Sequence, residues 1–216
     1  MTSLGKQSGF ANLRLAVLLL AAGEGSRLGL TPKALLQKDD QSLVSHFCQA
    51  ITAFAPTEFI VVTGFYADAI ESELDKLKKD LDLSIKTAHN PNPERGQSSS
   101  VRLGLQALKS NYDVLLVALC DQALVGAVEI DALLQQYEKR DQQKEIILPM
   151  VGEQRGNPVV FSHQVITDIL AIPNMVCRPF MDQHPELVQI FATDNLAYIA
   201  DADTEADLSA LNLKRF

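Results

Sequence analysis

The sequence predicts a three-layer α/β/α fold around a mostly parallel sheet. Apolar runs of strand length alternate with helix-period segments along most of the chain, the order that parallel strands with crossover helices produce. Two of those runs, Leu13–Leu20 and Asp113–Leu119, are apolar on both faces, as strands covered by helices on either side must be. The length of 216 residues suits one domain. A chain of that size buries roughly 70% of its unfolded surface without disulfides or metals. The domain is expected over residues 13–216, behind a polar, flexible extension of residues 1–12. No repeat, low-complexity stretch or linker divides it.

The first expected strand is Leu13–Leu20. Ser42–Phe54 reads as a helix, with Ser42 as N-cap and Leu43, Phe47, Ala50, Ile51 and Phe54 on one stripe. Glu58–Thr63 is a strand ended by Gly64. Tyr66–Lys79 is a helix whose lysine-rich last turn suits the negative end of the helix dipole. Ser84–Ala88 is a short strand, and the breakers of Asn90–Gln97 make a loop. Ser98–Lys109 follows as a helix with Val101, Gly104, Leu105 and Leu108 inward. Asp113–Leu119 is the most apolar strand and is placed at the sheet centre. Ala127–Arg140 is helical, then Glu145–Met150 and Pro158–Phe161 are strands. The last third predicts helices near His163–Ala171 and Arg178–Gln183, strands near Leu187–Phe191 and Leu196–Ala200, and a helix from Thr204.

Composition narrows the function classes. With 47% apolar and 21% charged residues the chain is not a disordered one. A formal charge of −8 and no basic run exclude nucleic acid and anionic membranes as partners. The longest apolar run, Leu15–Ala22, is far short of the roughly 20 residues that span a bilayer. A glycine-rich charged loop follows it directly, so it reads as a buried strand and not as a signal peptide. Cys48, Cys120 and Cys177 lie far apart, which argues against a disulfide framework, a zinc ribbon and a dithiol redox site. A reducing, cytoplasmic setting is expected.

The chemistry concentrates after the first strand, in Leu20-Ala21-Ala22-Gly23-Glu24-Gly25-Ser26-Arg27-Leu28-Gly29 and Pro32-Lys33. Small residues there let backbone N–H groups approach an anion closely. Arg27 adds a forked donor and Lys33 a compact ammonium, a pairing suited to a triphosphate. The spacing fits neither the dinucleotide fingerprint nor the P-loop, and a tight turn with surface cations is the plainer reading. Asp121 ends the Asp113–Leu119 run, at the carboxyl edge where open α/β sheets bind ligands. It either caps the next turn or, with Asp203 or Asp201, makes a Mg²⁺ site. Thr204 or Asp203 also fits a helix N-cap. The hydroxyls of Ser98 to Ser100 read first as helix caps, and the same helix start could orient a phosphate. His46, His89, His163 and His184 share no spacing and take no catalytic role, although His163 fits a helix cap.

L-A-A-G-x-G-x-R-x-G…P-K resembles the opening of nucleotidyltransferases that join an NTP to a phosphorylated acceptor. Asn90-Pro91…Gly96-Gln97-Ser98-Ser99-Ser100-Val101-Arg102-Leu103-Gly104-Leu105 is similar to the N-P…G…S-x-x-x-G-L segment of molybdenum cofactor cytidylyltransferases. Cys120-Asp121-Gln122 resembles their C-D-Q-P. Gly156-Asn157-Pro158-Val159-Val160-Phe161 resembles G-x-P-x-x-F, and residues 201–208 resemble D-I-D-T-P-E-D-L. The motifs run in family order over nearly the whole chain.

The resemblance implies a Rossmann-like nucleotidyltransferase fold that moves CMP from CTP to a phosphorylated acceptor, molybdopterin, and releases pyrophosphate. It implies that Leu20, Ala21, Ala22, Gly23, Gly25, Arg27, Lys33, Ser98 and Asp121 bind nucleotide, with Arg27, Lys33 and Asp121 catalytic. Asp121 and Asp203 would hold Mg²⁺, Gly156, Pro158 and Arg178 would meet the acceptor, and a molybdoenzyme would be a partner. Ala22 points to CTP, since guanylyl-transferring relatives typically read L-A-G-G there. Guanylyl transfer, cytidylyl transfer to a sugar or polyol phosphate, and a non-catalytic nucleotide- or molybdopterin-binding accessory role are the alternatives. The chain departs from the pattern at Ala123 and Glu205, each in place of Pro, and at Pro173–Arg178, where only Arg178 survives of G-D-x-G-x-R.

Overall fold

A computed structural model describes residues 13–81 and 83–216. The extension expected over residues 1–12 lies outside the described residues. Seven strands form the main sheet: β1 (Leu15–Leu20), β2 (Glu58–Thr63), β3 (Ile85–His89), β4 (Val114–Leu119), β5 (Ile146–Val151), β6 (Val159–Ser162) and β7 (Val188–Ala192). Their order is β7-β5-β6-β4-β1-β2-β3, which puts β4 at the centre, as its composition predicts. All run parallel except β6, which is antiparallel to β4 and β5. The two-residue strand Gln154–Arg155 adds to β5.

The alternation of side chains along β1 builds the two faces. Leu15, Val17 and Leu19 pack under α1 (Leu43–Thr52), α2 (Ala67–Asp80) and α4 (Ala127–Glu138). Ala16, Leu18 and Leu20 pack on the other side under α3 (Gln97–Ala107), α5 (His163–Ala171) and α6 (Cys177–Gln183). The three-layer α/β/α arrangement is therefore the observed one. α3 lies close over β1 because residue 104 is Gly: a Cβ there would sit 2.4 Å from Leu18. Arg102 of α3 ties this helix to the end of α5, donating to the carbonyls of Ile169, Leu170, Ile172 and Met175. No helix among the described residues is long and apolar enough to cross a membrane.

Three local expectations are corrected. Leu196–Ala200 is not a strand: Leu196–Tyr198 forms a single 3₁₀ turn, because the Asn195 side chain accepts from Ala197 N–H at 3.0 Å. The Ser98–Ser100 hydroxyls do not cap α3, which starts from Gly96 at φ 86° without a side-chain cap. Asn90 occupies two of them, its amide donating to Ser99 and Ser100 Oγ, each at 2.9 Å. His163 is the first residue of α5 and Ser162 is its cap, accepting from Val165 N–H. Ser42 caps α1 and Thr204 caps α7 (Glu205–Ala210), as expected.

Candidate active site

A cavity of 580 Å³ opens at the carboxyl ends of β1, β2 and β4, within the usual range for a small-molecule site. Its floor is the loop after β1. Gly25 there adopts φ 66°, and a Cβ would lie 2.0 Å from the Thr31 carbonyl oxygen, so only glycine fits. Among the described residues the N–H groups of Gly23, Glu24, Gly25 and Ser26 make no backbone hydrogen bond, which leaves them available to an anion.

A small third apolar cluster holds the charged residues in place. Leu28, Leu36 and Leu43 come from the N-terminal side, Ala123 from the turn after β4, and Ala202, Leu208 and Leu213 from the C-terminal segment. Ala123 and Ala202 are fully buried, and Ala202 N–H donates to the Asp121 carbonyl at 3.0 Å. Burying the alanines therefore fixes Asp121 two residues before one and Asp201 and Asp203 on either side of the other. Asp207 secures the same segment, accepting from Asp203 N–H at 3.1 Å and Thr204 N–H at 2.7 Å.

At this lip Lys33 Nζ lies 2.8 Å from Asp121 Oδ2 and also pairs with Asp203, while Arg27 Nη1 lies 2.8 Å from Asp203 Oδ2. Burial alone would lower the Lys33 pKa; the charges of Asp121 and Asp203 outweigh it and raise the pKa above the usual lysine value. Burial, reinforced by the charge of Asp121, pushes Asp201 up to about 6. Its Oδ1 is buried with no hydrogen-bond partner among the described residues, and so is Gln122 Oε1, whose amide Nε2 donates to the Tyr198 carbonyl at 2.9 Å.

The opposite lip is made by the ends of β2 and β3. Gly64 is again obligatory, since a Cβ would meet Ala22 Cβ at 2.8 Å and Pro93 Cβ at 2.9 Å. Phe65 and Glu94 line the cavity, with Pro93, Gly96, Gln97 and Ser100. Tyr66 donates its hydroxyl to the Glu24 carbonyl at 2.9 Å, bracing the β1 loop from the start of α2.

Of the residues singled out in the sequence, the cavity gathers Leu20, Ala21, Ala22, Gly23, Gly25, Arg27, Lys33, Asp121 and Asp203. It does not gather Ser98, Gly156, Pro158 or Arg178. Ser98 lies on the exposed side of the first turn of α3, two positions from the inward Ser100. Gly156 packs against Tyr198, where a Cβ would meet its carbonyl oxygen at 2.7 Å, and Pro158 follows in the same segment. Arg178 is exposed on α6. Sequence reasoning missed Phe65, Pro93, Glu94 and Gln97 as cavity residues, while Glu24 lay in the expected loop and Ser100 at the helix start weighed for a phosphate. The one sign available for Phe65 was its place just past a strand end, the position that singled out Asp121.

The two residues that replace proline have structural partners. Ala123 fills the third cluster, and its carbonyl accepts from Lys38 Nζ at 3.1 Å. Glu205 pairs with Arg215, which also donates to the Leu28 carbonyl at 3.3 Å.

The chain is 29% identical over 143 residues to the bifunctional protein GlmU of Mycobacterium ulcerans, covering 65% of this chain and 29% of that protein. It spans under a third of the length of such relatives. Rv0371c of Mycobacterium tuberculosis, solved as a complex with manganese, superposes with a TM-score of 0.66 at 18% identity, over 92% of this chain and 97% of that one. The 4-diphosphocytidyl-2C-methyl-D-erythritol synthase of Anaerococcus prevotii gives 0.69 at 12% identity, over 93% and 95%. These structures share the fold. The family model of the MobA-like NTP transferase domain matches residues 17–188. With the glycine loop and its two cations inside that match, the chain belongs to the MobA-like NTP transferase domain family, a family of nucleotidyltransferase enzymes.

Proposed function

We propose that the chain transfers CMP from CTP to a phosphorylated acceptor, molybdopterin, and releases pyrophosphate, as a cytoplasmic, Mg²⁺-dependent enzyme serving a molybdoenzyme. The observation that carries the reading is the convergence of Arg27, Lys33, Asp121 and Asp203 at one lip of the cavity, beside loop N–H groups that have no backbone partner among the described residues. Ala22 and the ordered motifs support CTP and molybdopterin.

The donor set fits Mg²⁺. Asp121 and Asp203 offer hard carboxylate oxygens, and Mg²⁺ usually takes one or two carboxylates with substrate phosphates completing its shell. No group of three or more His, Cys, Asp or Glu among the described residues could hold a metal alone, which suits an ion arriving with a nucleotide. The lining sets Glu24, Glu94, Asp121 and Asp203 against only Arg27 and Lys33, so a triphosphate needs added positive charge to sit there. The manganese in Rv0371c supports divalent-cation use. When bound, such an ion neutralises phosphate charge.

The chain itself positions and neutralises. The loop N–H groups receive phosphate oxygens, and Lys33 and Arg27 exchange carboxylate for phosphate contacts. Held there, the α-phosphorus accepts an acceptor phosphate oxygen in line; the new P–O bond forms as the bond to the β-phosphate breaks, and the two cations take the charge of the leaving pyrophosphate.

Transfer to a sugar or polyol phosphate is the second reading. The observation favouring it is that Gly156, Pro158 and Arg178, the residues implied for molybdopterin, lie off the cavity. The first test compares thermal stabilisation by CTP, GTP, ATP and UTP, each with and without Mg²⁺. A ligand at 100 times its Kd adds about 2.7 kcal/mol. Mg²⁺-dependent stabilisation by CTP, lost in Asp121→Ala, supports cytidylyl transfer, and pyrophosphate release with each acceptor decides between the two readings. Preference for GTP discards the use made of Ala22. Nucleotide binding without pyrophosphate release turns the reading to the accessory role.

A further inference from the structure

We infer that Phe65 is the stacking wall for the nucleobase, an inference that rests on the nucleotide reading above and assigns the half of the cavity which that reading leaves unused. Charge is divided unevenly across the site: Arg27, Lys33, Asp121 and Asp203 crowd one lip, while Phe65, Pro93 and the Ala22 methyl stand at the other, where Glu94 is the charged residue. A nucleoside triphosphate has the same polarity, anionic at one end and flat and apolar-faced at the other.

Phe65 is 41% exposed. Eight large apolar side chains are exposed among the described residues, and Phe65 alone of these lines the cavity. It belongs to neither main apolar core and makes no ring–ring contact among the described residues. Its packing therefore does not account for an aromatic at this position. The backbone on both sides of it is fixed nonetheless. Gly64 is closed in by Ala22 and Pro93, and Tyr66 is anchored on the Glu24 carbonyl. The ring thus stands on a rigid base beside the phosphate-binding loop, one strand away from it. An aromatic held in place and left wet offers a face to a planar ligand.

Stacking on an aromatic is tolerant of base identity, because every base presents a π face. Phe65 accordingly sets how tightly the nucleoside is held, and the choice of base falls to groups that reach its edge.

The test measures Kd by calorimetry, with Mg²⁺ present, for CTP, UTP, GTP and ATP and for inorganic tripolyphosphate. The proteins are the wild type and the full-length variants Phe65→Ala, Phe65→Leu and Phe65→Tyr, each checked for an unchanged unfolding transition. Wild type should hold its preferred nucleotide more tightly than tripolyphosphate. Phe65→Ala and Phe65→Leu should weaken that nucleotide by about 5-fold to 150-fold and leave tripolyphosphate within about twofold, while Phe65→Tyr should bind like wild type. Leucine keeps the bulk without the π face, so loss in Ala alone overturns stacking. Parallel weakening of nucleotide and tripolyphosphate, unchanged nucleotide binding, or a wild type that holds no nucleotide better than tripolyphosphate also overturns it. A wild type that prefers GTP sinks the CTP reading while the Phe65 comparison proceeds with GTP. A wild type that binds no anion at all removes the proposed function and this inference together.

Discussion

Lys33 holds two carboxylates at once: its Nζ lies 2.8 Å from Asp121 Oδ2 and also pairs with Asp203. One carboxylate lies two residues past the central strand and the other comes from the C-terminal segment, so a single ammonium joins distant parts of the chain at the cavity lip.

Removing that ammonium leaves two like charges facing each other, partly buried. Lys33→Met should lower stability by about 1–3 kcal/mol and reduce turnover at least about 100-fold. Added Mg²⁺ should raise the melting temperature of the variant more than that of wild type, since the cation replaces the missing charge. Equal Mg²⁺ responses in a pair of calorimetric scans would show that the two carboxylates do not take the ion.

Gly25 has a left-handed φ of 66° and no space for a Cβ. Gly25→Ala should displace the loop, weaken nucleotide affinity more than tenfold, and lower stability by about 1–2 kcal/mol. A titration giving wild-type affinity would mean that the loop does not contact the nucleotide.

Glu58 is 3% exposed. Its oxygens meet Lys86 Nζ at 2.7 Å and the N–H groups of Lys109 and Ser110 at 2.8 Å. Burial would raise its pKa, but these donors outweigh it and hold the group at about 2, below its ordinary 4.5. The folded pKa is depressed, so the stabilisation is complete above pH 4.5 and is lost as pH falls from there towards 2. Glu58→Gln should cost about 2 kcal/mol at pH 7 and flatten this acid limb. Urea midpoints at pH 7 and pH 3 that fall equally in both proteins would contradict the assignment.

Glu205→Pro restores the family residue and should change stability by less than about 0.5 kcal/mol. Residue 205 is the first of α7, where proline is well suited. Thr204 before it is already extended at φ −133° and ψ 167°, as a residue preceding proline should be. The pair lost with Arg215 is exposed on both sides and worth little. A melting shift of more than about 4 °C would show that the Arg215 strap does more than the packing suggests.

The central strands were legible because each is a local apolar run; Glu58–Thr63 is bounded as its composition predicts. The loop with Arg27 and Lys33, and Asp121 at a strand end, were legible from residue type and order. Leu196–Ala200 was misread because its apolar residues serve a turn: Tyr198 packs inward and its carbonyl takes N–H groups from Asn157 and Gln122. The Ser98–Ser100 cap was misread because Asn90, eight to ten positions upstream, claims two of the hydroxyls. The Leu28–Ala123–Ala202 cluster and the Gly64–Phe65–Tyr66 lip depend on contacts between segments far apart in sequence, which no local pattern encodes.

That cluster has a thermal consequence. Seven buried residues cement the charged lip, whereas the sheet rests on two far larger cores. Regions with fewer buried apolar contacts open first. On warming, the alignment of Asp121 with Asp203 should therefore fray while the strands stay intact, so that the protein goes silent several degrees before it melts.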